Sequence, residues 1–152
     1  MNVSNGDLEL GPIDIVVIGF PPDAPRTGEA IPIFVDLVDR GIIRVLDVLM
    51  VQKDAAGSVS GVEMADLGEG FEVLRVFDGA RTGVLGDEDA VTAGEGLEPG
   101  EAAVLICFEN AWAAPFVTTV RRNGGQMLAF QRVPVQDLLD KVNALDAAES
   151  AS

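Results

Sequence analysis

Apolar residues in this chain fall into short blocks, and the spacing within each block predicts an element. In "IDIVVIGF", Ile13, Ile15 and Val17 alternate with Val16, Ile18 and Phe20. Both faces of that segment are apolar, as in a central strand covered on two sides. "GFPPDAPRTGE" breaks the pattern with prolines and glycines and reads as a loop. "AIPIFVDLVDRG" then places Ile33, Phe34, Leu37 and Val38 on one helical stripe, with Thr27 as N-cap and Gly41 as the left-handed stop. "IIRVLDVLMV" returns to strand spacing. "KDAAGSVSGVEMA" predicts a hairpin, with Asp54 to Gly57 turning the chain and Val59 to Ala65 as a third strand. "GDEDAVTAGEGLEPG" predicts a short helix capped by Asp87 and stopped by Gly94 and Gly96. "EAAVLICFE" is a strand. "NAWAAPFVTTVRRNGG" is a helix with Asn110 as cap and with Arg121 and Arg122 in the last turn, where the helix dipole favours cations. "QMLAFQRV" is a strand. "VPVQDLLDKVNALDAAES" closes the chain as an amphipathic helix with Val135, Leu138, Leu139, Val142 and Leu145 on one side, followed by a fraying tail.

Set side by side, two stretches share one plan of strand, helix and strand. Pro32 and Pro115 fall early in the two helices and Gly41 and Gly124 fall at their ends, both pairs 83 positions apart. The expectation is a ferredoxin-like α+β sandwich built from a duplicated βαβ unit, with a mixed sheet of about five strands and helices mainly on one face. The units span 12–53 and 101–134. A hairpin and acidic insertion occupy 54–100, and the C-terminal helix 135–146. Residues 1–10 and 147–152 are expected to be flexible.

Two charges interrupt the second strand. With strict alternation Asp47 shares a face with Ile43, Val45, Leu49 and Val51, and Arg44 lies on the other with Leu46, Val48 and Met50. The two therefore cannot pair with each other. Each needs its own partner or access to water, because an isolated buried charge costs several kcal/mol. Three readings of Asp47 stand: solvent access at a sheet edge, a pair with Arg132 or Arg40, or a functional carboxylate in a cleft or at a subunit contact. Arg44 reads as a surface or interface arginine. Glu109 reads as an acid at the start of a helix beside Asn110. Arg44, Asp47, Glu109 and Trp112 are the candidate interaction residues.

Composition narrows the function. The length of 152 residues fits one domain, and the apolar share of 48% with mean hydropathy +0.29 supplies ample core. That hydropathy, with strands apolar on two sides, predicts a homodimer packed through the sheet. The net charge of −15 repels phosphate backbones and anionic lipid, so no nucleic-acid partner is expected. Twelve acidic and two basic residues fall in 54–101, which is two-thirds of that charge. The chain contains no histidine and no tyrosine. Histidine-based triads, Cys-His dyads and standard zinc sites are thereby excluded. The lone cysteine, Cys107, reads as packing rather than as a reactive thiol. "GARTGVLG" lacks the glycine–lysine spacing of a phosphate loop, and Asp87, Glu88 and Asp89 lack that of an EF-hand. No catalytic residue, cofactor or metal site is assigned. No secretory leader or membrane-spanning run is legible, so a soluble cytoplasmic protein is expected.

"GPIDIVVIGFP", "GIIRVLDVLMVQKDAAGSV", "ENAWAAPF" and "GGQMLAFQRVP" together resemble a family of small bacterial proteins of unknown function, common in actinobacteria. The likeness covers roughly 11–134. It implies kinship with membrane proteins that carry a glycine zipper in the middle of the same α+β frame, where this chain has the acidic residues 66–100. The family supplies no established activity. The expected function is a non-enzymatic, oligomerising interaction or regulatory protein. The alternative is a dimeric small-molecule-binding or enzymatic protein with a pocket near Asp47, Glu109 and Trp112.

Overall fold

The structure is a computed structural model that describes residues 10–23, 29–61 and 82–151. Strand β1 (Ile13–Phe20) leads to helix α1 (Ala30–Asp39), then to β2 (Arg44–Lys53) and the short β3 (Val59–Gly61). Helix α2 (Asp87–Glu95) and strand β4 (Ala102–Glu109) follow. A 3-10 turn (Ala111–Ala113) opens α3 (Ala114–Arg122), and α4 (Val135–Ala151) ends the chain. The sheet order is β1-β4-β2-β3, and every neighbouring pair is antiparallel. The expected mixed sheet of about five strands is thus, among the described residues, a four-stranded antiparallel one. "QMLAFQRV" contributes no strand: residues 125–134 are irregular and all exposed. A strand exists only where a neighbour accepts its ladder, and this segment has none among the described residues.

β4 is the centre of the molecule. One of its faces, with Val104, Ile106 and Met50 of β2, packs beneath Ile31, Phe34, Val35 and Val38 of α1. Phe34 meets Phe108 edge to face, the ring centroids 6.3 Å apart. The other face, with Ala103, Leu105, Cys107 and Val51, packs against Leu85, Ala90, Ala93 and Leu97 of α2 and its flanks. Helices therefore cover both faces of β4, not mainly one. β1, expected at the centre, is an edge strand: Ile13, Ile15 and Val17 are each about half exposed, at 49%, 51% and 52%.

Both βα units close alike. Past α1, Ile42 N–H donates to Leu37 O and Gly41 N–H to Val38 O; past α3, Gly125 N–H donates to Val120 O and Gly124 N–H to Arg121 O. This double bond pattern is the Schellman closure, and it needs the positive φ of 71° at Gly41 and 87° at Gly124. The hairpin turn also forms as its residues dictate: the Asp54 carboxylate accepts N–H groups from Ala56 and Ser58, and Gly57 takes a φ of 88°.

Other boundaries differ. α2 starts one residue after its cap, Gly86, whose N–H is bonded by the Asp89 carboxylate at 2.8 Å. Asp87 is the first helical residue rather than the cap. Gly94 lies inside this helix because a Cβ there would strike the Val59 side chain of β3; only Gly96 stops it. α4 continues to Ala151 where fraying was expected, since Ala and Glu favour helix. Thr27 and residues 62–65 of the expected third strand lie outside the described residues.

Candidate functional site

A β-bulge in β2 decides where the two questioned charges point. Arg44 pairs with Glu109 and Val45 with Phe108, but Cys107 is opposite Asp47, so Leu46 is an extra residue. The extra residue shifts the alternation by one. Arg44 comes to the same face as Asp47, contrary to the regular-strand reading. They still do not pair, because each has another partner.

Asp47 is only 6% exposed. Its Oδ1 accepts the N–H of Val48 at 3.0 Å, and its Oδ2 accepts the N–H of Leu85 at 2.9 Å. It is neither solvated at a sheet edge nor paired with Arg132 or Arg40. It fastens the segment that enters α2 to the middle of β2. The Asp47 charge, after burial itself and with Asp89, pushes the Cys107 thiol up from its ordinary range. Cys107 is fully buried, as expected of a packing residue.

Glu109 is 3% exposed and joins three elements at one end of the sheet. Its Oε1 receives Arg44 Nε at 3.0 Å, and its Oε2 receives the Gly11 N–H at 2.8 Å. Gly11 admits no side chain, since a Cβ would run into the carbonyl oxygen of Asn110. Asn110 does not cap α3. Its Nδ2 donates to Pro12 O at 2.9 Å and to Asp14 Oδ2 at 2.8 Å. Asp14 also receives Arg132 Nη2 at 2.7 Å. Hydrogen bonds from Arg132 and then from Asn110 hold the Asp14 carboxyl below the ordinary carboxylate range. Trp112 is 56% exposed, donates from Nε1 to Asn110 Oδ1 at 3.3 Å, and lies 6.4 Å from Phe130 between ring centroids.

The structure therefore gathers Arg44, Glu109 and Trp112 at the end of the sheet where β1 begins, and it turns Asp47 toward α2. Gly11, Asp14 and the structural role of Asn110 escaped the sequence. Asp14, a lone acid inside an apolar strand, was the signal available, the same one that marked Asp47. The carboxylates here are consumed by backbone amides and arginines, so they join elements rather than stand ready for proton transfer. Among the described residues no group of three or more metal-ligating side chains occurs, and no helix is long and apolar enough to cross a membrane.

One described cavity lies apart from these residues and another touches Asp14 and Arg132. A groove of about 280 Å³ between α1 and the sheet is lined by Ile18, Phe20, Ile31, Phe34, Leu37 and Ile106. A second, of about 430 Å³, runs beside β1 from Asp14 to Ile18 and reaches Arg132.

These features define a small α+β domain whose sheet is sealed at its centre and open along one apolar edge. The chain belongs to DUF6325, a family of unknown function, which it matches over residues 9–149. No curated protein and no solved structure shows a significant match.

Proposed function

We propose that this protein is a non-enzymatic interaction or regulatory protein that works as a homodimer packed through its sheet. The observation that carries the reading is the row Ile13, Ile15 and Val17, with Ile18 behind it, left open on β1. An exposed apolar edge strand is an aggregation hazard unless a partner covers it. The carboxylates that chemistry would need are already engaged as anchors, which favours association over catalysis. We also read the two βα units, with their matching Schellman closures, as a ferredoxin-like duplication whose last strand is not laid down. We place the protein in the bacterial cytoplasm, beside relatives that carry a glycine zipper. Sedimentation velocity at micromolar concentration tests the central point: a dimer is expected, and a strict monomer overturns it.

A second reading rests on the apolar groove under α1. Its lining suits a hydrophobic small molecule, but it lies away from Asp47, Glu109 and Trp112, where such a pocket was expected. A thermal-shift screen against apolar metabolites separates the two readings. A ligand present at 100-fold its Kd would stabilise the fold by about 2.7 kcal/mol.

A further inference from the structure

We infer that the dimer forms by reciprocal exchange of the C-terminal arm, with α4 of each copy lying on the open β1 row of the other. This rests on the dimer reading above and names the surfaces that meet.

Two unmatched apolar surfaces coexist in one molecule. The first is the row Ile13, Ile15 and Val17. Opposite it in register stand Glu109, Cys107 and Leu105, so the row continues the face that α2 covers over β4. Each of the three stays about half exposed. The second is the α4 stripe of Val135, Leu138, Leu139, Val142 and Leu145, every one of them exposed. No residue of α4 is buried, and every residue from 121 to 151 is exposed. An amphipathic helix of this kind is stable mainly through packing of its apolar side.

The two surfaces agree in length. From Ile13 to Val17 the row spans about 14 Å. From Val135 to Leu145 the stripe spans about 15 Å. The arm leaves the body beside the start of β1, on the α1 face of the sheet, so α4 reaches the row around the free edge of β1. Arg132 is held on Asp14 at the start of β1, and Pro134 separates that tether from α4. A two-fold axis passing near this tether sets each α4 along the partner's β1. The contact then occurs twice, in the self-complementary manner of two-fold dimers. The alternative occupant, the same molecule's own α4, would have to fold back over β1, and in the structure it does not.

Full-length chains carrying Cys107→Ser with either Ile15→Cys or Leu139→Cys test the exchange. Mixed, re-equilibrated and oxidised, the two variants are expected to give a covalent heterodimer, alongside a dimer by sedimentation. A dimer that cross-links only Ile15→Cys to Ile15→Cys overturns the exchange and leaves sheet-mediated dimerisation standing. A strict monomer, or an intramolecular link in the chain bearing Ile15→Cys and Leu139→Cys together, overturns both. Leu139→Glu with Val142→Glu is expected to weaken dimerisation at least tenfold while the circular dichroism of the sheet persists. Unchanged association overturns the exchange.

Discussion

β1 and β4 are neighbours of equal length, in antiparallel register over eight residue pairs, and nearly equal in apolar content. Their surroundings are opposite. β4 is buried along almost its whole length between α1 and α2, whereas β1 keeps one face open. Apolar side chains on both faces of a strand therefore state only that both faces must be covered. They do not state whether the same molecule does the covering. In β4 the cover is intramolecular. In β1 we assign it to a second copy.

The sharpest way to break the contrast is to shorten one side chain in each strand. Leu105→Ala in β4 removes a fully buried side chain and is expected to cost about 2–5 kcal/mol in urea denaturation. Ile15→Ala in β1 is expected to cost under about 1 kcal/mol at concentrations where the protein is monomeric, and to act instead on association. Equal losses at both positions would mean that β1 is covered within one chain.

The next effect concerns the anchors. Asp47→Ala leaves the Leu85 N–H without its acceptor inside the fold, and Glu109→Ala does the same to the Gly11 N–H. Each is expected to cost about 1–3 kcal/mol. Hydrogen exchange separates them: Asp47→Ala should loosen α2, and Glu109→Ala the start of β1. Loss of protection at both places in both variants would refute the division of labour between the two carboxylates.

A smaller effect is pH-dependent. Hydrogen bonding holds Asp14 below its unfolded value, so its contribution is complete above about pH 3.9 and is lost as pH falls through the lower folded value. The Arg132 partner is well exposed, which limits the contribution to about 1 kcal/mol or less. Asp14→Asn is expected to remove this contribution at neutral pH, a loss of about 1 kcal/mol or less, so that its stability meets that of the parent protein only in acid. The smallest effect belongs to Arg40→Ala, which breaks an exposed i,i+4 pair with Asp36 and is expected to cost about 0.5 kcal/mol or less.

What the sequence made legible were features governed by neighbours along the chain. The Phe34–Leu37–Val38 side of α1, the Asp54 turn, the glycine stops at 41 and 124 and the burial of Cys107 all follow from spacing or local backbone demands, whereas Ile33, expected on the same stripe, is 68% exposed. What it concealed depended on distant residues. The bulge at Leu46 reversed the side of Arg44, and no local pattern signals one added residue. Asp47 could not be read as an anchor because its partner lies 38 positions away at Leu85. β1 and β4 could not be ranked as edge and centre, since the topology that ranks them is not a local property. "QMLAFQRV" has strand composition, but composition cannot supply the neighbour that a strand requires.

The bulge has one more effect. It leaves the carbonyl of Leu46 outside the ladder, where the N–H of Thr82 reaches it at 3.3 Å. Five positions along the same strand, Gly61 is paired with Val51. Gly61 and Thr82 are thus both held to β2. The one added residue thereby gives the approach to α2 a second hold on β2, beside the bond from Leu85 to Asp47.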